Sequence, residues 1–240
     1  MTEAEWLACT ETEAEWLTCT DPLKMLRYLL GRTSDRKLRL FAVACCRRIW
    51  HLLIDKRSRE AVEVAERYAD GRATDEELET ASDAAHAVWD ADMERASTEG
   101  KWDRRSRLPY YNASAAAYNV AIPLGWWGAA PAFVDPDKIA RETVPDTSAE
   151  GAAQCVLLRD IFGNPFRPVT LHSTWLVWQG GTIPNLGQAI YDDRAFDRLP
   201  ILADALEEAG CTNADVLAHC RQPWEHVRGC WAVDLLLGKE

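Results

Sequence analysis

Three of the chain's eight cysteines and two of its five histidines, Cys211, His219, Cys220, His226 and Cys230, fall within the stretch GCTNADVLAHCRQPWEHVRGCWAVDLLLG, Gly210–Gly238. Thiolate and imidazole are the donors that zinc accepts in a tetrahedral shell. Cys211, His219, His226 and Cys230 supply four of them in a C-x7-H-x6-H-x3-C order. Only the last pair has the tight spacing of a metal knuckle, and Cys220, adjacent to His219, points to another side of any helix they share. The competing reading makes the cysteines small core residues and the histidines partners of backbone at a turn. Nucleophilic chemistry is a weaker candidate. His226, Cys230 and Asp234 follow at four-residue intervals, and on a straight helix they would stand in a row without converging on a substrate.

Other chemistry is sparse. Asp192-Asp193 and Glu207-Glu208 read as a helix cap and an exposed face, with no environment that would separate an acid from a base. Gly180-Gly181 lacks the glycine-rich frame that aims backbone amides at a phosphate. Eleven tryptophans are the compositional outlier. Trp50, Trp89 and Trp231 sit in helical patterns and fill core volume, whereas Trp126 and Trp127 stand beside a proline-rich connection and are the candidates for a partner-binding groove.

Charge bounds the partners. Lys and Arg number 27 against 38 Asp and Glu, a formal net charge of −11, which argues against broad attraction to nucleic-acid phosphate. The segment Gly31–Arg59 runs against that total, with Arg36, Arg39, Arg47 and Arg48 among nine cations and only Asp35 and Asp55 opposing. Its simplest use is pairing with acidic neighbours such as those of Thr74–Glu79; its alternative use is a docking face for an acidic protein. No apolar run approaches bilayer length, the start is acidic where a signal peptide is basic, and the scattered cysteines suit a reducing compartment. A cytoplasmic protein with no membrane contact is expected.

These residues must be positioned by helices. Thr2–Glu11 (TEAEWLACTE) and Thr12–Asp21 (TEAEWLTCTD) form a tandem decapeptide, each copy opening on a Thr-x-x-Glu capping box. A helix advances about 1000° in ten residues, so Trp6 and Trp16 would not share a line, and the second copy is expected to join the core with the first as an arm. Asp21-Pro22 and Ser34 start two further helices, the second with Leu38, Phe41, Cys45 and Ile49 on one face; Thr74 with Glu77 opens a long alanine-rich one. Ala149–Phe162, Leu186–Tyr191, Leu199–Ala209 and a C-terminal pair continue the pattern, while Phe166–Trp178 reads as loop. The expected fold is all-α, about ten helices in two packed lobes: an arm at 1–20, an N-terminal lobe at 21–145 and a C-terminal lobe at 146–240, with an irregular Trp- and Pro-rich connection ending near Pro145.

Four blocks carry a resemblance: EWLTCTDPLKML at Glu15–Leu26, RKLRLFAVACCRRIW at Arg36–Trp50, LLRDIFGNPFRPV at Leu157–Val169, and AIYDDRAFDRLPILADALEEAGC running into HVRGCWAVDLLLGKE. They are similar to a family of uncharacterised bacterial proteins over most of the chain outside Arg72–Asp146. The doubled decapeptide departs from the single copy that the resemblance implies. The family brings no activity with it. The sequence therefore points to a non-enzymatic helical module that binds another protein. Its alternative is a small metal-binding or hydrolytic protein using Cys211, His219, His226 and Cys230, with zinc the one cofactor the donor types admit.

Overall fold

The computed structural model describes residues 12–29, 31–98, 108–121 and 147–239. Among them there are twelve α-helices and no strand. Trp126, Trp127, the boundary near Pro145 and the first decapeptide lie outside the described residues.

Capping chemistry sets most helix starts. Helix α1, Glu13–Thr18, opens on the reciprocal box of Thr12 and Glu15, with the Thr12 amide donating to Glu15 Oε2 at 3.1 Å. Asp21 Oδ1 accepts from the Leu23 amide at the start of α2, Pro22–Leu29, and Ser34 caps α3, Asp35–Arg48. A 3-10 turn at Trp50–Leu52 leads to α4, Lys56–Ala69, capped by Asp55. Thr74 and Glu77 form the box that opens α5, Asp75–Thr98, and α6 follows at Leu108–Ala121. The second half holds α7, Thr147–Phe162; α8, Ser173–Val177; α9, Thr182–Asp193; α10, Leu199–Glu208; α11, Ala214–Arg221; and α12, Trp231–Leu237. Phe166–Trp178, expected as loop, thus contains α8: its apolar side chains are drawn onto the C-terminal core, and Trp175 is buried there.

Three hydrophobic cores result. Helices α3 to α6 pack through small side chains, including Ala61, Ala65, Ala85 and Ala117, which let the helix backbones approach closely. Helices α8 to α12 enclose Ile183, Ile190, Leu202, Leu206 and Val216. Between them, α7 lies against α2, α3 and α12, and Trp16, Met25, Phe41, Leu158 and Ile161 close the middle. Each fully buried Leu or Ile contributes about 1.5–3 kcal/mol relative to exposure, so the middle core alone can hold α7 in place. Among the described residues no helix is long and apolar enough to cross a membrane.

Candidate metal centre

Helix α7 presents Asp160 from its last turn, on the side that carries the buried Leu157 and Ile161. A carboxylate with no exposed surface needs partners, because burial without them favours its neutral form. The C-terminal segment provides them. His219 stands in the last turn of α11, the chain then runs through Gln222–Gly229 without helix, and Cys230 is the residue that caps α12. His226 and Cys230 are therefore not successive positions on one helix face; the loop turns back to bring them together. Gly229 makes that turn at φ 92°, and a Cβ there would lie 3.0 Å from Leu40 Cδ1, so both the conformation and the space call for glycine.

One donor atom from each of Asp160, His219, His226 and Cys230 falls in a group whose members all lie within 4.8 Å of one another. Asp160 Oδ1 is 2.6 Å from His226 Nδ1 and 3.3 Å from His219 Nε2, and His219 Nε2 is 3.1 Å from Cys230 Sγ. Asp160 Oδ2 accepts from the Val227 amide at 2.9 Å, which fixes the carboxylate plane. Aromatic rings wall the group: His219 is 5.0 Å from Trp231 and 6.3 Å from Trp224, centre to centre.

His226 faces an acceptor at each ring nitrogen. Its Nε2 faces the Gln222 carbonyl at 3.3 Å, an acceptor only. A neutral imidazole has one N–H, and placing it on Nε2 leaves the Nδ1 lone pair against a carboxylate oxygen. The Nδ1–H tautomer instead donates to Asp160 Oδ1 at 2.6 Å and leaves the longer 3.3 Å contact of Nε2 unmade, and a cation between imidazole and carboxylate would relieve that trade. Burial is the strongest influence on Asp160 and opposes its ionisation, but the hydrogen bonds and charge of His219 and His226 outweigh it and hold the carboxyl below the usual carboxylate range. Burial, then the charge of Asp160 and the neighbouring Cys220, pushes the Cys230 thiol well up. A divalent cation would reverse that bias, since a coordinating thiol is deprotonated outright. One oxygen, two nitrogens and one sulfur suit zinc, whose tetrahedral ligand distances of about 2.0–2.3 Å set donors about 3.3–3.7 Å apart, so the 2.6 Å contact of Asp160 with His226 would have to open on binding. A histidine whose far nitrogen is bonded to a backbone carbonyl is the usual second-shell arrangement.

The structure thus brings together three of the four candidate ligands and adds a fourth that sequence reading missed. Cys211 is buried among the apolar side chains of α9 to α12 and is not in the group; its amide bonds the Leu206 carbonyl to end α10. Cys220, the neighbour of His219, is also buried apart from it, with burial raising its thiol to about 12. The available signal for Asp160 was a carboxylate at the three-residue spacing from Leu157 that marks a buried helix face, beside Arg159 in the run Leu157–Phe162. A nucleophilic triad does not form. His219 meets both Cys230 and Asp160 through the same nitrogen, whereas a base needs one nitrogen for the nucleophile and the other for its orienting carboxylate. Asp234 is elsewhere, paired with Arg36.

The arginines expected to face a partner are turned inward. Arg36 reaches Asp234 at 2.7 Å, Asp70 at 3.2 Å and the Tyr191 hydroxyl at 2.8 Å. Arg39 is buried and donates to the Val120 carbonyl at 2.6 Å, with its guanidinium over the Tyr68 ring. Arg47 pairs with Glu66 at 2.7 Å, and Arg48 with Glu150 and Glu225, both at 2.9 Å. These partners come from α4 and its cap Asp70, from α6, α7, α9 and α12, and from the Gln222–Gly229 loop; none of those named here lies in Thr74–Glu79. Comparison with known proteins adds no relative: no protein-family model, no curated protein and no solved structure matches this chain.

Proposed function

We propose that this chain is a zinc-binding helical protein in which Asp160, His219, His226 and Cys230 hold a structural ion. The observation that carries the reading is the buried convergence of those four donors from α7 and the C-terminal segment, with His226 Nδ1 directed at a carboxylate oxygen while Nε2 faces a carbonyl. Zinc would supply a cross-link between α7 and the two last helices. Four protein ligands leave no open position for water or substrate, so an ion held here would be structural and not catalytic. A hydrolytic reading has no comparable support, because Cys230 is wholly buried and its thiol is held protonated without a metal. All seven described cysteines are free, which supports a reducing, cytoplasmic setting. A docking face for a protein partner gets no support from α3, whose four arginines are engaged within the chain. Kinship with the bacterial family rests on the four sequence blocks.

Cobalt substitution tests the site. Co2+ added to metal-free protein should give the intense visible bands of a tetrahedral centre with a sulfur-to-cobalt transition in the near ultraviolet. Cys230→Ser should abolish that transition and Cys211→Ser should keep it. A weak octahedral spectrum, or equal loss in both variants, would remove this proposal.

A further inference from the structure

We propose that the cradle holding Trp16 is a docking surface for an E-A-E-W-L segment, and that Thr2–Glu11, which carries the same segment, is its second occupant within the chain. The docked copy shows which of its groups the cradle reads. Trp16 has no exposed surface, donates from Nε1 to the Gly163 carbonyl at 3.0 Å and lies 6.0 Å from the Tyr28 ring. Arg159 donates to the Trp16 carbonyl at 2.8 Å and to the Cys19 carbonyl at 2.6 Å. Glu13 Oε1 accepts from Asn164 at 2.7 Å and pairs with Arg167 at 2.6 Å. Thr12 and Glu15 close the capping box, and Cys19, whose thiol donates to the Asp21 carbonyl at 3.3 Å, packs against the core that holds the buried Cys155.

Every side chain in that account recurs ten residues earlier: Thr2, Glu3, Glu5, Trp6 and Cys9 stand where Thr12, Glu13, Glu15, Trp16 and Cys19 stand in the docked copy. The two copies differ at Ala8 against Thr18 and at Glu11 against Asp21. Neither difference is read by the cradle. The Thr18 hydroxyl bonds the Ala14 carbonyl of its own helix, and Asp21 caps α2, a role it keeps whichever copy is docked. Two cations of the cradle, Arg159 and Arg167, suit either acidic segment equally.

Connectivity decides which copy prevails. Leu17–Asp21 links the docked tryptophan to α2, and docking of Trp6 instead would lengthen that link by the ten-residue repeat. Loop-closure entropy rises only slowly with length, so the longer link disfavours the first copy without forbidding it. The second copy is the resident occupant, and the first takes its place by a ten-residue slip when Trp16 is lost or displaced.

The test uses the full chain and four proteins: parent, Trp6→Ala, Trp16→Ala and the double variant. Thermal unfolding should find Trp6→Ala indistinguishable from the parent and the double variant at least about 5 °C below Trp16→Ala, because only the double variant leaves the cradle without a tryptophan. Coincidence of Trp16→Ala with the double variant, an unfolded Trp16→Ala protein, or a destabilised Trp6→Ala protein would each overturn the proposal. A second readout is independent of stability. In a Trp16→Ala/Cys19→Ser background, diamide should accept two electrons and two protons from the Cys9 and Cys155 thiols and leave a disulfide within one chain, mapped by peptide mass spectrometry. Cys155 remaining reduced would contradict docking of the first copy. A Cys9–Cys155 disulfide joining two chains would assign the arm to a neighbouring molecule's cradle and overturn the exchange within one chain.

Discussion

At the residue scale the account turns on Asp160. Its two oxygens organise everything around it, one against the imidazoles of His219 and His226 and the other on the Val227 amide. Asp160→Asn keeps the shape, removes the charge and places an amide N–H or a neutral oxygen where the proposed cation would bind. It should lower stability by about 3 kcal/mol in urea unfolding, the scale of hydrogen bonds to a buried charge, and release bound metal. Acid should mimic it. Asp160 has a folded-state pKa below its unfolded value, so its contribution is complete above about pH 4 and is lost as pH falls through the lowered folded value. Parent protein should lose unfolding midpoint across that window more steeply than Asp160→Asn. Three of the four donors were legible in the sequence because cysteine and histidine are scarce and their clustering is visible. Asp160 was not, since one carboxylate among 38 acidic residues becomes distinctive only when the fold buries it.

At the element scale, the loop Gln222–Gly229 does what no helix could, bringing His226 back to the end of α11 and setting Cys230 at the start of α12. Gly229 at φ 92° is its pivot, packed against Leu40 of α3. Gly229→Ala should cost about 2 kcal/mol, from left-handed strain plus displacement of Leu40, read as a lower urea midpoint. An unchanged midpoint would mean that the loop does not depend on this turn. Helix starts were readable one by one, because the caps Thr12, Ser34, Asp55 and Thr74 act through local hydrogen bonds that the sequence alone specifies. The four-residue spacing of His226 and Cys230 suggested a helix for the same local reason, and Gln222-Pro223 ended α11 before it could form. That break was itself in the sequence; what periodicity cannot express is that the freed loop carries His226 to Asp160.

At the scale of the whole molecule, α3 is the hub. Its basic row was visible in the sequence, but its use was not, since pairing across the chain depends on where Glu66, Asp70, Glu150 and Asp234 arrive. Arg36 alone joins α3 to the end of α4, to α9 through Tyr191 and to α12 through Asp234. Removing one partner of a buried pair leaves the other uncompensated. Arg36→Ala should therefore destabilise the chain by about 3 kcal/mol in a single cooperative transition, whereas Arg57→Ala, which breaks only the exposed pair with Asp55, should leave the midpoint where it was. Equal effects of the two substitutions would deny α3 that role. The all-α class followed from helical periodicity. The middle core, in which α7 lies against both halves, came only from the packing of Trp16, Phe41 and Leu158.

The most direct measurement is the zinc content of the full chain purified without an affinity tag or chelator, by elemental mass spectrometry, on the parent and on Cys230→Ser. The account predicts about one zinc per parent chain, lost in the variant together with a fall in the unfolding midpoint. A metal-free parent that also binds no added zinc would contradict it, and would leave Asp160, His219 and His226 as a proton-bridged buried network.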